Sequence, residues 1–344
     1  MRTEITEQPA ILHDLLAQHM PVVQEVAQAI RRHNPDYVFL AARGTSRHAG
    51  TYAQYLWGAF NQLSVALASP SLFTQYERPP RLDRALVIGI SQSGQSPDIV
   101  RVIEVGQRQG SLTLAITNDV NSPLAHASAH VLDTSAGVEM AVAATKTYTA
   151  QLMVLAMLSV ALNGCVPEQM EALSHVPGLV QQVLAREAEL ADIAQRYTAM
   201  ERCIVLGRGY NYASALEWAL KLKELTTVAA DPYSSAEFQH GPIALASQGT
   251  PVFAIVPRDV VSAELETLLH KLVHSQQVRL FTLSDEHHIN ILAHDSFQLP
   301  EGMAPWVSPI VGIVAAQLFC YHLTLAKGCD PMSPPGLHKV TLTY

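Results

Sequence analysis

Two polar bursts interrupt apolar runs in the first third of the chain, "ARGTSRHAG" (Ala42 to Gly50) and "ISQSGQS" (Ile90 to Ser96). Each follows a short run of branched and apolar residues that reads as a buried strand, and each leads into a helical pattern. Glycine, hydroxyls and amides at the start of a helix offer side-chain O–H groups beside the unsatisfied N–H groups of the first turn. That combination suits phosphate oxygens without any cation. Either loop alone is equally an ordinary helix cap; two of them at neighbouring strand ends favour a ligand cradle. No Walker A sequence is present, and the Gly-X-Gly of "LGRGYN" lacks the third glycine of a dinucleotide fingerprint.

The strands that must carry these loops are legible. In the first half they are "YVFLAA" (Tyr37 to Ala42), "ALVIGI" (Ala85 to Ile90), "LTLAIT" (Leu112 to Thr117) and "HVLDT" (His130 to Thr134). In the second half they are "CIVLG" (Cys203 to Gly207), "PVFAIV" (Pro251 to Val256), "VRLFTL" (Val278 to Leu283) and "SFQLP" (Ser296 to Pro300). The two series are offset by roughly 165 residues throughout, the signature of an internal duplication. Amphipathic helical patterns alternate with the strands, "SPDIVRVIEVGQRQG" in one half and "VSAELETLLHKLVHS" in the other. Continuous apolar strands alternating with such helices imply parallel sheets covered on both faces. The chain therefore reads as α/β, with two doubly wound parallel-sheet domains related by duplication. The expected organisation is an N-terminal helical segment (1–30), a first domain (31–165), a helical linker (166–200), a second domain (201–330) and an extended Pro-rich tail (331–344). In such sheets ligands bind beyond the carboxyl ends of the strands, where both polar loops fall.

Composition narrows the function classes. The 344 residues suffice for two ordinary domains, and the 49% hydrophobic share is that of a globular protein. A formal net charge of -8 argues against broad binding to nucleic acid or an anionic membrane. The four cysteines, Cys165, Cys203, Cys320 and Cys329, form no CxxC pair and read as idle thiols of a reducing cytosol. No histidine pair has metal-ligand spacing, so no metal is expected. The N-terminus is polar and acidic and shows no secretory signal, which makes a cytoplasmic location the expectation. The apolar stretches Gln151 to Leu162 and Ser308 to Ala326 read as core helices and not as membrane spans.

The motifs "GTS", "SQSGQSPD", "ITND", "EMAVAATKTYTAQL", "ALEWALKLKEL", "AEFQHGPIAL" and "PPGLHKVT" together resemble the sugar isomerase (SIS) family. More narrowly, they resemble the tandem-SIS isomerase half of glucosamine-6-phosphate synthase and its stand-alone relatives. The resemblance implies flavodoxin-like domains, a phosphosugar substrate and no cofactor. It implies that Thr45, Ser46, Ser91, Gln92, Ser93 and Ser96 hold the phosphate and that the backbone near Val142 lines the sugar. It also implies that Glu224 moves a proton between C1 and C2, with Lys221 beside it. His240 would assist ring opening, entering from the neighbouring subunit of a homodimer, and the tail Lys339 would form a Schiff base with the open-chain sugar. Each role suits its residue type: a carboxylate for proton transfer between adjacent carbons, a histidine for acid–base work near neutrality, and a lysine for condensation with a carbonyl.

Arg2 stands where the synthase has its nucleophilic cysteine, and about 30 residues precede the first domain, too few for a glutaminase. The resemblance therefore points to an aminosugar-phosphate deaminase, converting glucosamine 6-phosphate and water to fructose 6-phosphate and ammonia. Two departures keep other substrates open. The synthase tail reads Pro-Arg-Asn-Leu where this chain has Pro334-Pro335-Gly336-Leu337, and Ala144 replaces the serine of the sugar loop. Galactosamine 6-phosphate, a fructosamine phosphate cleaved by a deglycase, and a ketose/aldose phosphosugar pair are the alternatives. A non-catalytic phosphosugar sensor is the alternative of another class.

Overall fold

The structure is a computed structural model and describes residues 1–339. Its helices are α1 (Arg2–Thr6), α2 (Gln8–His33), α3 (Gly44–Asn61), α4 (Ser71–Thr74), α5 (Pro97–Arg108), α6 (Pro123–Ala127), α7 (Lys146–Leu162), α8 (Pro167–Ala185), α9 (Glu187–Gln195), α10 (Tyr212–Thr226), α11 (Ser235–Gln239), α12 (Ser262–Gln276), α13 (His287–Leu292) and α14 (Ser308–Ala326). Two compact units share them. The first-sheet unit comprises residues 7–139 and 146–175, together with His338 and Lys339. The second-sheet unit comprises residues 1–6, 140–145 and 176–337.

The first sheet is built from β1 (Tyr37–Ala42), β2 (Val65–Leu67), β3 (Ala85–Ser91), β4 (Leu112–Thr117) and β5 (His130–Asp133), in the order β2-β1-β3-β4-β5. Every pairing is parallel. The second sheet comprises β6 (Arg202–Gly207), β7 (Ala229–Ser234), β8 (Pro251–Ile255), β9 (Arg279–Ser284) and β10 (Asp295–Gln298). Its order is β10-β9-β8-β6-β7, also all parallel. Read from the other end, this is the order of the first sheet, so the duplication predicted from strand spacing extends to topology. Both have the flavodoxin-like order, whose switch point lies between the first strand and the third.

Two strands escaped the sequence pattern, and both are edges. β2 has three residues. β7 reads "AADPYS", and Pro232 within it cannot donate to a ladder. An edge strand tolerates proline because only one side is paired, and β7 pairs only with β6.

The two long apolar helices are core elements. Sixteen residues of α7, Lys146 to Ala161, are buried, and α2 and α3 pack on it within the first-sheet unit. Pro305–Ala326 is long and apolar enough to cross a membrane, and 78% of its most apolar window is buried. In the second-sheet unit α14 contributes Phe319 to an aromatic cluster with Tyr197, Trp218, Phe253 and Phe281; Trp218 stacks on Phe253 with ring centroids 5.1 Å apart. This cluster fixes the face of α10 turned to the sheet. Cys203 and Cys320 are buried there, and desolvation pushes both thiols up, away from the reactive thiolate.

Candidate functional site

In the first-sheet unit the two loops expected to form an anion cradle meet at the switch point. β1 and β3 are neighbours, and Ala42 pairs in register with Ile90, so the loops after them start side by side. Thr45 and Ser46 lie in the first turn of α3. Ser46 is buried, and its Oγ accepts a hydrogen bond of 3.1 Å from Nε2 of Gln151 on α7. The second loop is a tight turn. The Oγ of Ser91 accepts from Gly94 N–H at 3.1 Å, the Oγ of Ser93 accepts from Gln95 N–H at 3.3 Å, and the Gln92 carbonyl accepts from Asn118 N–H at 3.2 Å. Gly94 has φ 62°, and a Cβ there would sit 2.1 Å from Ser122 Oγ, so only glycine allows the turn. Ser96 is the N-cap of α5, yet its side chain makes no capping bond, and Pro97 follows at the first helical position. The helix entry is therefore preorganised without using the Ser96 hydroxyl.

One feature of this cradle has the wrong sign for an anion: Asp98 lies in the first turn of α5 and is 1% exposed. Arg43, the N-cap of α3, neutralises it, with Nε and Nη2 each 2.8 Å from Asp98 Oδ2. The pair also ties the two loops together. Arg43→Gln should lower the melting temperature by an amount equivalent to about 1–3 kcal/mol, because it leaves a buried carboxylate oxygen short of a donor. It should also weaken inorganic phosphate binding. Calorimetric titration and thermal unfolding check both; unchanged phosphate affinity would show that the pair plays no part in shaping the cradle.

The tail lysine also belongs to this unit. Lys339 Nζ lies 2.7 Å from Oε2 of Glu139, which is 5% exposed. Thr147 orients that carboxylate from α7, its N–H and Oγ1 donating at 3.2 and 2.8 Å. Gly336, where the synthase tail has asparagine, has φ 76°. Asparagine is among the few other residues that tolerate the left-handed region, so this departure preserves the backbone path. Pro335 in place of arginine does remove a charge.

The remaining candidates lie in the second-sheet unit. Glu217, Lys221 and Glu224 follow at i, i+4 and i+7 on α10 and form one stripe. Lys221 Nζ lies 2.5 Å from Glu224 Oε2 and 3.3 Å from Glu217 Oε1. The side chains of Lys221 and Glu217 are 1% and 0% exposed, while that of Glu224 keeps 23%. Burial by itself drives the Lys221 ammonium toward its neutral form, but the Glu217 and Glu224 carboxylates outweigh it and hold the pKa above the ordinary lysine value. His240 is exposed at the end of α11, just before Gly241 and Pro242. Among the described residues, no hydrogen bond or ion pair links it to Lys221 or Glu224. The backbone N–H of Val142 donates to the carbonyl of Met332 at 3.4 Å.

The repeat allows the corresponding loops of the two sheets to be compared. Arg208 and Gly209 follow β6 with the backbone angles of Arg43 and Gly44, and Arg208 pairs with Glu264 in the first turn of α12 at 2.8 Å, as Arg43 does with Asp98. Where Thr45 and Ser46 stand in the first copy, the second has Tyr210 and Asn211. Asn211 is committed to Ser308 and Ser214. The β8–α12 loop carries Asp259, half-buried, whose carboxyl is pushed up by desolvation. The second copy thus keeps the arginine–carboxylate tie and has other residues where the first has Thr45 and Ser46.

Sequence reading overlooked four side chains of these clusters. Glu217 had a signal, its i, i+4 spacing from Lys221 on a predicted helix. Asp98, Glu139 and Gln151 had none, since Arg43, Lys339 and Ser46, their respective partners, lie far from them along the chain. Among the described residues no group of three or more His, Cys, Asp or Glu could hold a metal ion.

Comparison with known proteins agrees with this architecture. Residues 33–161 and 197–327 each match the SIS domain. The glutamine–fructose-6-phosphate aminotransferase (isomerizing) of Methanothermobacter thermautotrophicus is 34% identical over 346 residues, 98% of this chain; the chain spans 56% of that relative's length. A chain from Silicibacter pomeroyi, provisionally assigned as a phosphosugar isomerase, has a TM-score of 0.86 at 32% identity, covering 96% of this chain and 99% of that one. The C-terminal domain of glucosamine-fructose-6-phosphate aminotransferase from Francisella tularensis has a TM-score of 0.85 at 27% identity, covering 96% and 97%. With two matched segments, the duplicated topology and a relative aligned along nearly its whole length, the chain belongs to the SIS domain family.

Proposed function

We propose that this protein is a phosphosugar isomerase that acts as an aminosugar-phosphate deaminase, converting glucosamine 6-phosphate and water to fructose 6-phosphate and ammonia. The observation that carries the reading is the Glu217–Lys221–Glu224 stripe. A passive phosphosugar sensor needs an anion cradle; it has no use for a partly exposed carboxylate held against a buried ammonium. An isomerase does, because a carboxylate must take a proton from one carbon and return it to the next.

In this reading the hydroxyls of Thr45, Ser46, Ser91, Ser93 and Ser96, with Gln92, hold the phosphate, the part of the substrate that does not react. His240, contributed by a second copy of the chain, moves the proton that opens the ring; its exposure at a loop end supports that assignment. Glu224 removes the C2 proton of the open-chain aldose and delivers it to C1, which turns the C2 amine into an imine. Lys339, leaving its proton on Glu139, adds through Nζ to C2 and expels ammonia, and water then cleaves the lysine imine to give the ketose and regenerate the lysine. Release of Lys339 from Glu139 precedes that step. Val142 lines the sugar through its backbone. A second reading, a fructosamine phosphate as substrate, is favoured by Ala144 and Pro335, which remove a hydroxyl and a charge from the segments that would meet the amine substituent.

The purified chain should release one ammonia per fructose 6-phosphate formed from glucosamine 6-phosphate. Coupled ammonia and ketose assays over a panel with galactosamine 6-phosphate and a fructosamine 6-phosphate check this. Silence across the panel would sink the enzymatic reading; turnover of the fructosamine phosphate alone would replace the substrate.

A further inference from the structure

We infer that Glu4 is a positioning residue for the sugar-lining segment, and that α1 acts as a splint for residues 140–142. This rests on the reading of Val142 as lining the sugar. The N-terminus reads as a polar, acidic stretch, yet Glu4 is only 6% exposed. Its Oε1 accepts two backbone hydrogen bonds, from Met140 N–H at 2.5 Å and Ala141 N–H at 3.1 Å. The amino nitrogen of Met1 lies 3.2 Å from Oε2. A carboxylate between two successive amides fixes the direction of both peptide planes, and bonds to a charged acceptor are the strong ones.

The splint is itself anchored. Ile5 is fully buried, and Arg2 donates twice to Glu187 on α9, Nε to Oε1 and Nη2 to Oε2, each at 2.8 Å. The segment has further ties within the same unit: Val142 N–H to the Met332 carbonyl, and Gln317 Nε2 on α14 to the Thr145 carbonyl at 3.2 Å. Residues 140–145 have no regular secondary structure of their own before α7 begins. These hydrogen bonds restrain the segment, and Glu4 holds the two amides next to Val142. Met140 itself is 70% exposed, so apolar packing does not do this work at that position.

The test compares Glu4→Ala and Glu4→Gln with the wild-type chain. Amide hydrogen exchange at Met140 and Ala141 should accelerate at least about tenfold in Glu4→Ala, the loss of hydrogen bonds to a charged acceptor. In the same variant KM for glucosamine 6-phosphate should rise about tenfold with kcat falling less, while Kd for inorganic phosphate stays unchanged. Glu4→Gln keeps an acceptor oxygen and should restore most of both. Unchanged exchange overturns the splint. Faster exchange with an unchanged KM, or equal losses for sugar phosphate and inorganic phosphate, overturns the positioning role. A wild-type chain inactive on every phosphosugar overturns the functional reading instead, and the exchange rates then decide the splint alone.

Discussion

Glu224→Gln should lower kcat by about 10²–10⁴-fold while leaving phosphosugar affinity within about threefold, the pattern of a lost proton carrier. The substitution conserves shape. Lys221 keeps Glu217 at 3.3 Å, and the new amide oxygen can still accept from its ammonium. Glu224 is the member of the stripe with 23% exposure, so removing its charge strands nothing in the core. Single-turnover ammonia release and equilibrium binding of glucosamine 6-phosphate separate the two effects. Full activity would remove Glu224 from the chemistry. Parallel losses of binding and turnover would make it a substrate anchor.

Lys221→Met should have the largest effect on stability, a loss of about 3–5 kcal/mol, because it leaves the buried Glu217 carboxylate and its neighbour Glu224 without their cation. The methionine fills similar space, so a cavity does not account for the change. The pH dependence follows from the raised pKa of Lys221. The folded chain holds this proton more tightly than the unfolded chain does, so the contribution is fully present below the ordinary value of 10.5 and fades only as pH climbs through the raised one. The gap between wild type and variant should therefore be flat on the lysine side across neutral pH. Adding Glu217→Leu to Lys221→Met should recover a large part of the loss, because an apolar pair avoids the desolvation of both charges. Denaturant unfolding of the four chains measures the cycle. Strict additivity would mean that the two groups do not interact.

The two predictions differ in how visible their basis was. The stripe on α10 follows from helical spacing once "ALEWALKLKEL" is taken as a helix, and Glu217 is part of that pattern. What spacing cannot supply is burial. Lys221 and Glu217 lie in the interior because Trp218, between them in sequence, packs into the aromatic cluster of the second sheet and fixes the helix's rotation. The same limit applies to the N-terminus. Its polar composition suggested no role, because a carboxylate that caps backbone amides elsewhere in the chain looks like any surface glutamate. Strands β2 and β7 were missed for a local reason, one being short and the other holding Asp231 and Pro232 at an edge.

The amino-acid sequence by itself determined the α/β class, the duplication and the strands that carry the polar loops. These depend on composition and periodicity, which are properties of neighbours along the chain. Tertiary structure alone decided how the loops of each copy are braced and which atoms restrain them. The first copy keeps Ser46 against Gln151 and neutralises Asp98 with Arg43, whereas the second commits Asn211 to Ser308 and sets Asp259 in the corresponding loop. Glu139 with Lys339, and Glu4 with Met140, join residues far apart in the chain. Such pairings are set by three-dimensional proximity and desolvation, and no spacing rule along a single chain encodes them.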